Sequence, residues 1–449
     1  CAGVHGSLEK SVCFLTTELA GAKFFCLPRF MLEFRFLENM KRIFILYLII
    51  LPALLLSAAD LPALLQPYAK PEYWQEREVA PAISKENLVT AVEAARAYYL
   101  NHQLQEGNFL YAFDVVSNQQ FPDDNQVRQA GALWGLSCLN RDRFTENTRR
   151  AVLAGLEFFL SNRKKLTDGQ LVVTYPGDEM LKTGTVALFC LAVTDFLIGQ
   201  EKFLPPEVRS KYETALQEQL RYLQSMELPD GSWAHVYDLP SGYRDPVGKS
   251  YYDGEALLAY CKAARYLRRD ELLPRIQFAL PKLIQKYLLD CWKPGGNAEE
   301  TRGFSQWGAM AFAECVEAQW EQTDGAAEAA LALGWWQIHS NKIEAKAGNT
   351  AYAVEGLIAS WRVAKCRQDQ ASMTALRAVS ERCLGRLMLC QIGGPFHTKN
   401  EFFNSLPRIQ PRAFGGITAA PDSGAIRIDN VQHQLHAMLL ALKYFYPED

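Results

Sequence analysis

Carboxylates recur just ahead of apolar helical stretches in this chain, each with aromatic, basic or hydroxyl side chains close by. Six segments carry the pattern: Phe121-Pro-Asp-Asp-Asn-Gln-Val-Arg128, Tyr175-Pro-Gly-Asp-Glu179, Tyr251-Tyr-Asp-Gly-Glu255, Asn297-Ala-Glu-Glu-Thr-Arg302, Tyr352-Ala-Val-Glu355 and Arg427-Ile-Asp-Asn-Val-Gln-His433. Asp124, Asp178, Glu255, Glu355 and Asp429 are the candidates for catalysis, because a positioned carboxyl can give or take a proton. Asp123, Arg128, Tyr175, Trp233, Tyr252, Asp253, Trp307, Tyr352, Arg427 and His433 are candidates for holding a substrate. Rings cover the apolar faces of sugars and carboxylates bind their hydroxyls. The set therefore suits a poly- or oligosaccharide.

Each of these groups also has a structural use. A carboxylate in a helix's first turn complements the dipole and the unpaired N–H groups there, so capping competes with chemistry at every acid. Asp124 and Arg128 are four apart, either an ion pair on one helix face or an acid beside a guanidinium that grips a substrate carboxylate. Asp178, Glu179 and Lys182 crowd one turn, as a solvated cap or as a carboxylate held for glycosidic chemistry. Such chemistry needs two carboxyls about 5 Å or about 6.5–9.5 Å apart. Exchange of a proton α to a carboxylate instead needs groups on opposite sides. Tyr252 and Tyr352, beside Glu255 and Glu355, would serve that exchange or pack as buried rings. Asp429 and His433 share a helix face, with His436 a turn further on, and read as a hydrogen-bonded pair. Seven histidines with no matching Cys or Asp trio indicate no metal site, and no motif asks for a cofactor.

The elements that must position these groups are helices. Twelve segments with helical apolar spacing begin near Asn87, Gln126, Glu146, Glu179, Pro206, Gly254, Glu271, Phe304, Ala326, Ala351, Ala371 and Asn430. Amphipathic, charged segments alternate with small-residue segments that are apolar almost all round, as half-exposed helices alternating with buried ones would be. Two octets repeat, Gly107-Asn-Phe-Leu-Tyr-Ala-Phe-Asp114 and Gly231-Ser-Trp-Ala-His-Val-Tyr-Asp238, each after an outer helix and before an inner one. A second repeat opens inner helices: Tyr175-Pro-Gly-Asp178, Tyr252-Asp-Gly-Glu255 and Tyr352-Ala-Val-Glu355. Six hairpins on this scheme predict an all-α (α/α)6 toroid, with the six segments above meeting at one mouth.

The chain has 449 residues and a formal net charge of −3, which leaves no basic footprint for nucleic acid. Lys41-Arg42, the apolar run Ile43–Leu56 and Ser57-Ala58-Ala59 read as a signal peptide over 40–59, too short for a stable membrane span. Residues 1–39 then read as an over-extended N-terminus, 60–85 as a linker and 86–449 as one toroid domain. The mature product is expected to be periplasmic or secreted. Eight cysteines lie beyond the signal, mostly in apolar helical patterns where a free thiol behaves as a small hydrophobe.

The toroid pattern, the octets, Ser250-Tyr-Tyr-Asp-Gly-Glu-Ala-Leu-Leu-Ala259 and the closing run Ile426–His433 resemble the six-hairpin toroid carbohydrate-active enzymes. Within these the chain resembles bacterial proteins related to D-glucuronyl C5-epimerases and toroid glycosidases, over roughly residues 86–446. The resemblance implies a glycoside hydrolase or a uronate epimerase. Tyr251-Tyr-Asp253-Gly-Glu255 stands where that pattern has Tyr-Tyr-Pro-Gly-Glu, so Asp253 departs from it. Gln224–Trp233 is similar to a Gln–Trp repeat of triterpene cyclases, an alternative that also covers prenyltransferases. Asp123-Asp124-Asn125 lacks the cyclases' Asp-rich motif. A non-catalytic exported glycan-binding protein is the other alternative.

Overall fold

Local signals start most of the helices where the periodicity puts them. The computed structural model describes residues 80–447 other than 202 and 294. Among these the outer helices are α1 (Lys85–His102), α3 (Glu146–Ser161), α5 (Pro206–Ser225), α7 (Leu273–Ile284), α9 (Ala326–His339) and α11 (Gln370–Leu387). The inner helices are α2 (Gln126–Asp142), α4 (Thr183–Gly199), α6 (Ser250–Leu267), α8 (Ala298–Ala318), α10 (Ala351–Cys366) and α12 (Ile428–Tyr444). Ser84, Asn125, Thr145, Asn297 and Asp369 each cap a helix, their side-chain oxygens accepting backbone N–H groups of the first turn. The expectations for 1–39, 40–59 and most of 60–85 lie outside the described residues.

Burial separates the two sets. Every residue of α4 from Thr183 to Leu197 is buried, whereas α5 buries one stripe running from Tyr212 to Leu223. The inner helices pack in sequence order, α2 on α4, then α6, α8, α10 and α12, and α12 packs back on α2. That closes a ring of six, the (α/α)6 toroid. In such a ring α6 and α12 stand opposite each other, three places apart either way.

The octets prove to be one repeated device. Gly107 and Gly231 both take positive φ, at 108° and 80°. A Cβ at Gly107 would lie 2.3 Å from the Ala154 carbonyl oxygen, so only glycine fits there. Each octet ends in a short strand, Ala112–Asp114 or Val236–Asp238, that pairs antiparallel with the strand entering an inner helix, Ala425–Arg427 before α12 or Met180–Lys182 before α4. The fourth residue of the inner helix that follows pins each octet. Gln129 exchanges two hydrogen bonds with the Phe109 backbone, and Asp253 accepts the Trp233 N–H at 2.9 Å.

The second repeat does not hold. Tyr175–Asp178 is a turn, with Gly177 at φ 81°, and leads into a strand because Met180–Lys182 is needed by Val236–Asp238. Tyr252–Glu255 and Tyr352–Glu355 are already helical. All eight described cysteines are thiols, seven of them buried. No described helix is long and apolar enough to cross a membrane.

Candidate active site at the mouth of the ring

The inner helices begin around two adjoining cavities of about 270 and 490 Å³ that share Asn125 and Arg128 as a common wall. The smaller, deeper one is lined by Arg128, Tyr252, Glu255, Trp307, Asp429 and His433 among others. The larger one adds Asp123, Asp124, Phe121 and Arg427. Five inner helices thus supply the deep cavity: α2, α4, α6, α8 and α12.

Two proton-handling groups enter it from opposite sides. From α12 comes His433, whose side chain is 21% exposed. Its Nδ1 lies 3.0 Å from Oε2 of Glu355, a wholly buried residue of α10. His436, one turn on, places its Nδ1 2.8 Å from the other oxygen, and Gln306 donates to Oε2 as well. Burial alone would push the Glu355 carboxyl up, but the charge and hydrogen bonds of the two histidines hold it below its ordinary value. An ionised Glu355 can only accept, so both imidazoles carry their proton on Nδ1 toward it, and Nε2 of His433 is left for chemistry. Burial opposes charge on His433, yet the neighbouring Glu355 wins and raises its pKa above the ordinary histidine value.

From α6 comes Glu255, also buried, whose Oε2 has no hydrogen-bond partner. Burial first, and then the charge of Asp253, push its pKa well above the carboxylate range, so it keeps its proton to a higher pH than a free carboxyl does. Space for it is made by Gly184 of α4: a Cβ there would come within 2.6 Å of Oε2 and 2.4 Å of the Tyr252 ring. Tyr252 is itself held neutral by burial and by Glu255. Asp429 is clasped in a fork by Arg427 and lies 3.1 Å from Nε of Arg128, whose Nη1 donates to the Tyr111 hydroxyl. Burial would raise Asp429, but these arginines keep it ionised.

The remaining candidates fall elsewhere. Asp124 is exposed on the larger cavity, where it accepts from the Tyr175 hydroxyl and from Gln129. Tyr175 is thereby a prop for Asp124. Asp178 accepts from Gln126 at 2.6 Å and lines neither cavity. Tyr352 is half-buried with its ring 6.4 Å from that of His433. Trp233 and Asp253 are corrections to the sequence reading. Trp233 is packed edge-on against Tyr260 in the core, not in the mouth. Asp253 is fully buried on the octet, accepting from Trp233 and from the Tyr287 hydroxyl, and burial raises its pKa to about 7. Its place is taken by Gln129 in the other octet, which shows a pinning role that either side chain can fill.

Sequence reasoning missed Gln306, Gly184 and the bridging place of His436. The Glu355 cluster joins four residues from three helices, Glu355, His433, His436 and Gln306, and only the His433/His436 spacing hinted at it. Among the described residues no group of three or more His, Cys, Asp or Glu side chains is placed to hold a metal ion.

No protein-family description and no characterised protein matches the sequence. The ring is shared with solved structures of sugar enzymes. A D-mannose isomerase superposes with a TM-score of 0.58 at 13% identity, covering 81% of this chain and 99% of that one. A cellobiose 2-epimerase from Bacillus thermoamylovorans gives 0.54 at 11%, with 79% and 98% covered. A glycoside hydrolase family 76 mannosidase from Bacteroides thetaiotaomicron gives 0.52 at 12%, with 81% and 99% covered. These likenesses are of fold.

Proposed function

We propose that the protein is a carbohydrate-active enzyme that moves a proton at a sugar carbon next to a carbonyl, as an epimerase or isomerase. One observation carries the reading: His433, braced by Glu355, shares the deep cavity with the buried Glu255 on the facing helix of the ring. Neutral Nε2 of His433 takes the proton α to the carbonyl of an open-chain sugar. The electron pair moves into an enediol, and the Arg128 guanidinium offers N–H groups to the oxygen where charge gathers. Glu255 gives its proton from the other side. Delivery to the same carbon inverts it, and delivery to the former carbonyl carbon, with a proton passing from the neighbouring hydroxyl to the former carbonyl oxygen, makes the ketose. Trp307 and Tyr252 wall the sugar, with the larger cavity beyond for further residues of a saccharide. The names of the isomerase and epimerase that share the ring accord with this reading.

Incubation of the purified protein with a panel of hexoses, uronates and disaccharides in D2O, followed by NMR, tests it. Deuterium at one sugar carbon is expected, lost in His433→Asn and Glu255→Gln. No solvent label in any sugar would sink the reading. A second reading, glycoside hydrolysis, is favoured by the neutral Glu255, which could protonate a leaving oxygen. Bond cleavage without label would establish it, and saturable binding with neither would leave a glycan-binding protein. We infer export from residues 40–59, and a product that stays inside the cell with Met40–Ala59 retained, read by fractionation and N-terminal sequencing, would refute that.

A further inference from the structure

At the end of the ring away from the mouth the inner helices finish in a set of buried charges. Arg141 and Lys262 converge on Asp195, which also accepts from the Trp134 indole at 2.7 Å. Arg141 also forks onto Asp142. Arg265 and Arg362 share Glu314 and Glu317. Four cations thus face four carboxylates, and every carboxylate is spoken for.

Lys443, near the end of α12, is a fifth cation. No carboxylate among the described residues lies within ion-pair distance of it; burial first, and then the charges of Arg141, Lys262 and Arg362, disfavour its charge, with Asp142 opposing them from a distance. It opens onto a cavity of about 340 Å³ lined by Lys85, Arg141, Arg143 and Lys443 against the single acid Asp142. The other two cations are also under-neutralised. Lys85 is held by the Pro447 carbonyl at 3.2 Å, and Arg143 reaches Glu93 only at 3.4 Å, behind the closer Arg96. Such an excess, recessed and partly screened from solvent, attracts a multiply charged oxyanion much more than a chloride.

We propose that this cavity is a second binding site, for a phosphate-bearing small molecule, with Lys443 and Arg143 as its principal contacts. Its volume takes a phosphate together with a sugar-sized body. A relay of side chains connects it to the mouth: Arg141 touches Asp195, Asp195 holds Trp134, and the Trp134 ring packs 4.6 Å from that of His436, which grips Glu355. The binding claim stands apart from the proposed reaction at the mouth.

Calorimetric titration of the full chain with sodium phosphate, and separately with a hexose phosphate, against sodium chloride at matched ionic strength tests it. One site per chain is expected, with phosphate affinity falling about tenfold or more in Lys443→Gln and in Arg143→Gln. Both substitutions lie on exposed or half-exposed positions, so unchanged melting in chloride shows that the fold is kept. Tighter binding of the hexose phosphate names the source as a sugar phosphate, and equal binding names phosphate itself. No phosphate heat above the chloride control overturns the proposal, as does undiminished binding in both variants. Binding that emerges only after residues 448–449 (Glu-Asp) are removed also overturns it, by giving the cavity to the chain's own carboxylates.

Discussion

His433 and Glu355 are the pair on which activity should turn, and their roles separate by pH. Folding raises the His433 pKa, so its contribution is complete below about 6.5, the ordinary histidine value, and is lost as pH rises through the raised one, whereas that of Glu355, whose pKa is lowered, is lost as pH falls below about 4.5. With the neutral ring as the proposed base, turnover should climb over that same upward interval. Glu355→Gln keeps the shape but removes the charge: we expect turnover to fall by about 100-fold. The alkaline-rising limb should also move to lower pH, a shift that a merely structural residue would not cause. Glu255 behaves in the reverse sense. An acid held protonated in the fold costs stability as pH rises above about 4.5, where the unfolded chain would release its proton. Glu255→Gln should therefore abolish label exchange yet make the protein more stable than wild type at pH 8, read by urea denaturation. Gly184→Ala drives a methyl into the Tyr252 ring and should cost about 1–3 kcal/mol together with activity.

At the scale of elements, the octet and the helix that pins it form a unit. Asp253→Ala strands the Trp233 N–H and the Tyr287 hydroxyl in the core, and should destabilise by about 2–3 kcal/mol. Turnover of the molecules that stay folded should remain within a few-fold of wild type, measured as activity per native protein. A total loss of turnover in folded Asp253→Asn would instead return the residue to the catalytic machinery. The helices were legible because an inner helix must be apolar all round and an outer one on a single stripe, a difference that α4 and α5 spell out in their residues. The octets were legible as well, since glycine at positive φ and the aromatic at the pinned position both repeat. The short strands were not, because three-residue pairings leave no periodicity. For that reason Glu179 was expected to start a helix that begins at Thr183. The site was half legible. Arg128, Glu255 and His433 lie at helix starts where spacing can flag them, but Glu355 meets His433 and His436 only through closure of the ring.

For the whole molecule, a ring has no helix pair that can be lost alone. Trp134 and Trp307 sit 5.4 Å apart at the centre, on α2 and α8 from different parts of the ring. If the toroid unfolds as one, tryptophan fluorescence and far-ultraviolet circular dichroism should give coincident denaturant midpoints. An earlier fluorescence transition would mean that the centre opens before the outer helices melt.

The join between Ala112–Asp114 and Ala425–Arg427 has a further consequence for how this protein comes into being. The partner strands are separated by nearly the whole toroid sequence, and the second arrives with Arg427, Asp429 and His433 directly behind it. On the ribosome, where early segments emerge first and pair locally, eleven of the twelve helices could gather before the mouth is complete. The proposed catalytic centre is completed last, in the final moments of synthesis, and a chain stalled before residue 425 is expected to be long, helical and chemically silent.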